Sequence, residues 1–369
     1  MKKSLIALAV VGAFTSSAFA EGSNVQLYGI IDLGVTHFTG LQPSSGTGTV
    51  SSTGLDSGGQ SSSRIGLKGS EDLGGGLKAI FQAETGFCAA GTNQNGVGTS
   101  GYCSGGGFMQ RTSIVGLTGG FGTVVAGRMN TPLWNSELAA DPFGGGLTGN
   151  IDNISNLTFA NVKRANQTVA YVSPDLMGFT GTAVYSFAPT SAPVNLAQGG
   201  STTRAWELNG GYSNGPIFAS LDYLRVTNFN GTPNSSTGDA AKHWQVTGGY
   251  DFGIAKVTGL YQNLKIDSFS GDRTVWMLGA TVPVGAGAVL ASYGQVKNTL
   301  GADTGNDTAK QYAIGYTYSL SKRTNLYTSY AHISNDTNTN LAVGDSSTGN
   351  VGVNGQSSSG FALGIRHKF

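Results

Sequence analysis

Apolar and polar residues alternate along most of the chain, and this alternation predicts β-strands. Between residues 311 and 320, tyrosine, isoleucine and leucine occupy every second position, while glutamine, alanine, glycine, threonine and serine lie between them. A period of two is typical of strands with one apolar and one polar face. The segment 273–282 is less regular, because Val275 and Met277 lie on its otherwise polar face. The pattern predicts an all-β protein.

Two kinds of connection separate the predicted strands. Short turns lie near 71–76, 119–121, 174–178, 214–216, 252–253, 283–286 and 320–323. Longer polar loops lie near 39–57, 89–107, 131–163, 189–203, 228–241, 267–272, 298–309 and 336–357. Seven turns alternating with eight loops predict a 16-stranded antiparallel barrel with both termini on the short-turn side. Such a plan is typical of transmembrane β-barrels of the bacterial outer membrane.

The first twenty residues predict export. Two lysines precede an apolar stretch at 5–14, and Ala18 and Ala20 are spaced as at a signal-peptidase site. The apolar stretch is too short to cross a bilayer as a helix. We therefore expect residues 1–20 to be a signal peptide and residues 21–369 to form a transmembrane β-barrel pore.

The environment of the two strand faces separates a soluble β-sandwich from a membrane barrel. In a soluble protein the apolar face fills the interior, whereas in an outer-membrane barrel it faces lipid and the interior is wet. Amide and charged residues recur on the polar faces throughout the chain, which favours a wet interior. Aromatic residues near strand ends suit the membrane interface: Tyr28, Tyr171, Tyr212, Tyr223, Tyr250, Tyr293 and Phe369.

Charge and cysteine content narrow the range of partners. Loss of two signal-peptide lysines leaves 19 of the 21 basic residues against 20 acidic residues. A nearly neutral chain argues against nucleic acid as a partner. Cys88 and Cys103 flank a stretch rich in glycine, threonine and asparagine, and an oxidising compartment permits them to form a disulfide. Further metal ligands are not nearby, so we expect neither a metal site nor a cofactor.

An outer-membrane hydrolase is the main alternative class. None of the four histidines, His37, His243, His332 and His367, stands beside a Gly-x-Ser-x-Gly turn. A Ser–His pair elsewhere stays open, because serine is common and such pairs form in space and not in sequence. The phosphate-loop pattern Gly-x-x-x-x-Gly-Lys-Ser/Thr is absent. The sequence therefore predicts a channel and not an enzyme.

The last strand has a distinctive end. Phe361, Leu363, Ile365, His367 and Phe369 share one face, and the chain ends on Phe369. An aromatic C-terminus on an alternating strand resembles the signal by which outer-membrane barrels are recognised for assembly. The alternative interpretation is an ordinary amphipathic terminal strand.

Several segments together resemble the trimeric general porins of β-proteobacteria. In chain order they are Val25–Gly29 with Asp32, Ser63–Gly69, Glu71–Ala79, Arg111 with Val115–Leu117, Phe121–Gly122 through Gly127–Arg128, Arg164–Asn166 with Tyr171–Pro174, Leu320–Thr324 and Gly364–Phe369. The resemblance implies a homotrimer in contact with outer-membrane lipid and lipopolysaccharide. It also implies that the third loop folds into each barrel and narrows a pore for small hydrophilic solutes and ions.

The same resemblance implies a set of basic residues on the barrel wall at the constriction. By motif these are Arg64, Arg111 and Arg164, with Lys68 and Arg128 as weaker matches. Alternation places Arg64 and Lys68 opposite the apolar face, towards the pore. Arg111 shares the parity of apolar Val115, which a β-bulge or a subunit interface would explain. The alternative for each is an ordinary solvated charge of the pore.

The third loop, residues 131–163 and named loop 3 below, offers the acidic residues Glu137, Asp141 and Asp152. Carboxylates opposite the wall arginines would create a transverse field that selects ions. Alternatively, Glu137 and Asp141 hydrogen-bond the loop to the wall. We expect a general-diffusion porin with weak anion preference. A substrate-specific channel and an adhesin or receptor role of the outer loops are the other functions considered.

Overall fold

A computed structural model describes residues 24–91, 108–155, 163–187, 203–227, 240–267, 269–300, 307–346 and 349–369. The predicted signal peptide and Cys103 lie outside the described residues. The strands are β1 Asn24–Leu41, β2 Val50–Ser57, β3 Arg64–Gly74, β4 Leu77–Gly86, β5 Thr112–Gly119, β6 Gly122–Asn130, β7 Arg164–Val172, β8 Phe179–Ser186, β9 Arg204–Asn214, β10 Ile217–Thr227, β11 Ala240–Asp251, β12 Lys256–Ile266, β13 Arg273–Val284, β14 Gly287–Asn298, β15 Asp307–Ser319, β16 Thr324–Asn335 and β17 Ser358–Lys368. The helices are α1 Pro132–Ala140 and α2 Asp152–Ser155.

These seventeen segments form sixteen barrel strands. Residues 33–41 of β1 pair with β2, and residues 24–30 of the same strand pair with β3. β2 and β3 are therefore one strand interrupted at residues 58–63. β17 pairs with the other edge of β1 and closes the barrel, and every neighbouring pair is antiparallel. The predicted 16-stranded antiparallel barrel is confirmed.

The first loop is shorter than the sequence predicts. The expected loop 39–57 includes the end of β1 and all of β2, which leaves residues 42–49 as the connection. Serine, threonine and glycine dominate β2, so its composition indicates a loop. Backbone pairing with β1 nevertheless orders this segment, because ladder hydrogen bonds form between main-chain groups whatever the side chains are.

In this barrel the apolar side chains lie on the outer face and the polar side chains on the inner face, the reverse of a soluble protein. Ile314 is 57% exposed on the outer face of β15, whereas the neighbouring polar Gln311 is only 2% exposed on the inner face. Apolar outer faces suit lipid, and the closed ladder satisfies the backbone groups that lipid cannot. Among the described residues, no helix is both long and apolar enough to cross a membrane.

Aromatic residues form a belt on the outer face of β9–β15, near the long-loop side. The aromatic belt comprises Trp206, Tyr223, Trp244, Tyr261, Trp276, Tyr293 and Tyr312. Trp244, for example, is the register partner of Tyr223 on one side. On the other side its ring contacts the ring of Tyr261, with 5.1 Å between the ring centres. Tyr28, predicted to join such a girdle, instead faces the interior and donates a hydrogen bond to Glu84 at 3.0 Å.

The described part of loop 3, residues 131–155, packs against the barrel strands. α1 contacts β9–β12, and α2 contacts β14 and β15. The helix α1 begins where Thr131 caps it, since the Thr131 hydroxyl accepts the Trp134 N–H at 3.3 Å and Pro132 occupies the first turn. Because its partners are on the buried faces of these strands, the loop packs on the inner wall.

An apolar cluster beneath loop 3 explains the irregular pattern at 273–282. Val275 and Met277 on the inner face of β13 pack in one buried cluster with Leu147, Ile151 and Ile154 of the loop. The inner face is therefore apolar where it packs on these apolar loop residues. Period-2 alternation weakens at such places because both faces of the strand are shielded from water.

Candidate pore constriction

Two of the predicted wall arginines meet on one carboxylate. The Glu84 carboxylate on β4 lies 2.6 Å from Arg111 Nε and 3.7 Å from Arg64 Nε. Tyr28 also donates to it, and Gln82 donates to the Tyr28 hydroxyl at 2.6 Å. Glu84 thus holds two cations on the inner wall, and the cluster has more positive than negative charge.

A β-bulge brings Arg111 to this site. The Arg111 N–H donates to the Glu84 carbonyl at 3.1 Å, although Thr112 is the register partner of Glu84. Arg111 and Thr112 therefore both lie opposite Glu84, and the extra residue changes the direction of the Arg111 side chain relative to β5. The bulge explains why Arg111 is buried on the inner wall while Val115, of the same parity, is exposed. Of the two explanations considered from sequence, the structure shows the bulge.

Lys68 lies on the same wall as Arg64, four residues further along β3 and nearer the short-turn side. Its Nζ stands 5.5 Å from the centre of the Tyr28 ring, within the range of a cation–π contact. Ile65 and Leu67, which alternate with these two basic residues, are exposed on the outer face. The parity argument therefore places Arg64 and Lys68 correctly.

The other two predicted arginines occupy different positions. Arg164 begins β7 in register with Asn130, whose side chain donates to Asn135 of α1 at 3.1 Å, so Arg164 lies at the base of loop 3. Arg128 is in register with Ser113, which shares the outward column of Val115. Its guanidinium donates to the Gln110 carbonyl and to the Asn166 side chain. The structure does not bring Arg128 to the Glu84 cluster.

Glu137 is buried between α1 and the wall. It is 0% exposed and accepts hydrogen bonds from Gln262 Nε2 at 2.5 Å and from Ser155 Oγ at 3.0 Å. Burial, reinforced by the charge of Asp152, raises the pKa of Glu137 to about 8. The side chain connects α1, α2 and β12. This geometry corresponds to the interpretation in which the carboxyl group holds the loop to the wall.

Asp141 organises the turn that follows α1. Its carboxylate accepts the N–H groups of Phe143 and Gly145 at 2.9 Å and of Ile151 at 3.2 Å. Burial raises its pKa to about 6, and the three backbone hydrogen bonds oppose the shift. Gly145 has φ of +70°, which suits glycine in this tight path. Asp141 therefore stabilises the fold of the loop and is shielded from the pore.

The tip of loop 3 reaches across to the interrupted strand. The Leu147 N–H donates to the Gly59 carbonyl at 2.6 Å, and the Thr148 hydroxyl donates to Ser329 at 2.9 Å. Besides β9–β16 and residues 58–63, the described part of the loop contacts Gly344, which lies between β16 and β17.

The chain has relatives among known proteins. A family model described as Gram-negative porin matches residues 7–338. The chain belongs to the Gram-negative porin family. Outer membrane porin protein 32 of Delftia acidovorans is 35% identical over 384 residues, with 100% of both chains covered.

Solved structures agree with this assignment. The anion-selective porin from Comamonas acidovorans matches with a TM-score of 0.77 and 30% identity, over 94% of this chain and 100% of that one. OmpT of Vibrio cholerae in its trimer form matches with a TM-score of 0.63 and 18% identity, over 95% and 100%, which supports the fold alone. The porin is an outer-membrane diffusion channel and not an enzyme, as predicted.

Sequence reasoning about this porin missed Glu84 and Asp32 as site residues. The Asp32 carboxylate accepts the N–H groups of Ser61 at 2.7 Å and Gln60 at 3.1 Å, and the Tyr327 hydroxyl at 2.7 Å. It therefore holds the interrupted segment that receives the loop tip. The alternation of β4 by itself indicates that Glu84 faces inward. Phe81 is exposed on the outer face, and a residue three positions away lies on the opposite face. No local signal distinguishes Asp32 from other inward acids.

The structure also describes the C-terminal residue Phe369 and the first of the two cysteines. Phe369 exchanges backbone hydrogen bonds of 3.1 Å with Gly29, so the last residue completes the closure of the barrel. Cys88 is disulfide-bonded, while Cys103 lies outside the described residues. Within the described ranges no group of three or more histidine, cysteine and acidic residues is arranged to hold a metal ion.

Proposed function

We propose that this porin conducts small hydrophilic solutes by general diffusion, with a weak preference for anions. The observation that supports the preference is the pair Arg64 and Arg111 on the single acid Glu84. Of the three loop acids that the sequence set against these arginines, Glu137 and Asp141 are buried and hydrogen-bonded. The third, Asp152, forms an ion pair with Lys163. The positive charge of the wall is therefore not balanced by an acidic loop.

Further basic residues extend the positive wall towards the short-turn side. Arg64 and Lys368 are the register partners of Ile30 on its two sides, and Lys68 pairs with Gln26 on the same sheet. Strands lie about 4.8 Å apart, so these side chains form one basic surface below the constriction. An anion that passes Arg64 would remain in a favourable potential until it leaves the pore.

The preference is tested by the reversal potential across a planar bilayer in a tenfold KCl gradient. We expect chloride to be more permeant than potassium, and Arg64→Gln to shift the potential towards cation preference. Lys322→Gln, in the exposed turn between β15 and β16, is the control and should leave the potential unchanged. Cation preference of the unaltered porin would overturn the proposal, and saturation of the current by one solute would indicate a substrate-specific channel.

We propose further that the porin is a homotrimer whose contact face lies on β1–β5. Aliphatic residues such as Leu27, Leu67 and Val115 are exposed there, while the aromatic belt lies on β9–β15. Aromatic girdles mark surfaces that meet lipid, so the face without one is suited to another copy. Leu67→Asn should lower the temperature at which the trimer dissociates in detergent, whereas Leu278→Asn on β13 should not. Equal effects of both changes would contradict this face.

A further inference from the structure

Part of the connection between β16 and β17 is buried, although the sequence predicts a polar outer loop there. Val343 is 0% exposed and Ala342 and Gly344 are buried beside it, whereas Thr337 and Val351 of the same connection are exposed. We name residues 341–346 the strap. The strap is the segment of this connection that leaves the rim and packs inward.

The strap is fastened to the two strands that it joins. The Leu341 N–H donates to Asn335 Oδ1 at 3.2 Å, and Asn335 Nδ2 donates to the Leu341 carbonyl at 2.8 Å. The Val343 N–H donates to Ser358 Oγ at 3.1 Å. A Cβ atom at Gly360 would lie 2.5 Å from Val343 Cγ1, so this glycine leaves the space that the Val343 side chain occupies. Ser358 and Gly360 are both on the buried inner face of β17, and the strap therefore lies against the inner wall.

The inner end of the strap contacts loop 3. The Gly344 N–H donates to Asn153 Oδ1 at 3.0 Å, and Asn150 Nδ2 donates to the Gly344 carbonyl at 3.4 Å. Val343 also belongs to the same buried apolar cluster as Leu147 of the loop tip. Polar and apolar contacts thus join the strap to the half of loop 3 that follows α1.

Asn153 is the joint of this arrangement. Its Nδ2 donates to the Thr148 carbonyl at 2.8 Å and to Gln311 Oε1 on β15 at 3.0 Å, while its Oδ1 accepts the strap. One side chain therefore connects the loop tip, the barrel wall and the outer connection. Displacement of the strap would remove one of these three partners from a buried amide, which then has an unsatisfied acceptor.

The strap also contacts the interrupted strand that receives the loop tip. Ser62 Oγ donates to the Ser346 carbonyl at 3.2 Å, and the Ser346 hydroxyl donates to the Gly58 carbonyl. The neighbouring Gly59 carbonyl accepts the Leu147 N–H of loop 3 at 2.6 Å. Strap, loop tip and residues 58–63 thus contact one another in all three combinations, and loosening one of them weakens the support of the other two.

We propose that the strap is a conformational device that couples the outer rim of the porin to its constriction. While the strap is docked, the tip of loop 3 is held in one position. Withdrawal of the strap towards the rim releases the tip, because the tip lies in no strand ladder and depends on such contacts. The coupling does not depend on the ion preference of the pore.

The test measures hydrogen exchange of the full, refolded porin in detergent by mass spectrometry. Val343→Ala removes two buried methyl groups from the strap and leaves every charge of the pore in place. We expect peptides that cover residues 144–151 to exchange about tenfold faster, since exchange reports the free energy of local opening. Val351→Ala is the matched control, because it removes the same atoms from an exposed position of the same connection and should leave loop 3 unchanged.

A second background separates coupling from general loosening of the barrel. Asn153→Ala removes the joint, so Val343→Ala should accelerate exchange of residues 144–151 much less in that background than in the unaltered porin. Three results would overturn the proposal: unchanged exchange of loop 3 in Val343→Ala, equal acceleration in Val351→Ala, or independent, additive effects of the Val343 and Asn153 changes. Val343→Thr, which keeps the shape of valine and places a hydroxyl group in the buried site, replaces Val343→Ala if the latter does not fold.

Discussion

The Arg111 guanidinium lies 2.6 Å from the Glu84 carboxylate because the backbone places two residues opposite Glu84. Without the bulge, the alternation of β5 would direct Arg111 to the outer face with Val115. The charge at the constriction therefore depends on a local irregularity of the ladder. Glu84 in turn approaches both Arg64 and Arg111, so it sets how much of their charge permeating ions experience.

Replacement of Glu84 by glutamine should increase the anion preference. The change removes one negative charge and leaves Arg64 and Arg111 in place. Across about 4–8 Å of water one charge contributes about 0.5–1 kcal/mol for each ion, with opposite sign for chloride and potassium. The chloride-to-potassium permeability ratio should therefore rise about five- to thirtyfold. Reversal potentials measure this ratio. Arg111→Gln is the companion variant and should change the ratio in the opposite direction; the same direction for both would refute the assignment.

Stability should fall as pH rises through the range in which Glu137 ionises. The pKa of Glu137 is raised from 4.5 to about 8 in the folded porin, so the folded state binds more protons than the unfolded state between these values. By linkage, the free energy of unfolding decreases from about pH 5 to about pH 8. Thermal denaturation across this range should show the decline.

The variant Glu137→Gln tests the cause of that pH dependence. Glutamine resembles the protonated side chain, so the unfolding temperature should vary less between pH 5 and pH 8. Glu71→Gln is the control, because Glu71 is exposed at the short-turn end of β3, far from loop 3. An unchanged slope in Glu137→Gln would show that other groups cause the dependence.

Replacement of Asp32 by alanine should loosen the attachment of the loop 3 tip. The N–H groups of Gln60 and Ser61 share one carboxylate oxygen, and a methyl group in its place would leave them without an acceptor. An unsatisfied buried group costs about 1–3 kcal/mol. We expect more open-channel noise in single-channel recordings. Asp56→Ala is the matched control, since Asp56 is also buried but accepts from Thr36 on β1; equal noise in both variants would contradict the role of Asp32.

Reduction of the expected Cys88–Cys103 disulfide should destabilise the outer loop without altering conduction. The two cysteines are 15 residues apart, and closing a loop of this length contributes about 3 kcal/mol in the chain-entropy description. Limited proteolysis with and without reductant should show faster cleavage between the cysteines after reduction. Equal cleavage rates under both conditions would argue against the pairing, and a change in single-channel conductance would place the loop nearer the pore.

Alternation and connection lengths were sufficient to predict the fold, because lipid outside and water inside select opposite side chains at successive positions. The sixteen strands and the inward direction of Arg64 and Lys68 follow from that selection. β2 was missed because its residues lack an apolar face. Arg111 was ambiguous because parity does not report a bulge. The place of Arg128 at the constriction stays a prediction, because the β6–β7 ladder is irregular between Gly127 and Met129.

By itself, the sequence determined the barrel and the alternation of short turns with long loops, since both depend on local composition or on a period of two. The export signal at residues 1–20 stays a prediction. Only the tertiary structure decided which charges meet. Glu84 joins Arg64 and Arg111 across three strands, while Glu137 and Asp141 are buried beneath and within loop 3. Such pairings depend on strand register and on the path of the loop through the interior, and neither leaves a periodic trace in the chain.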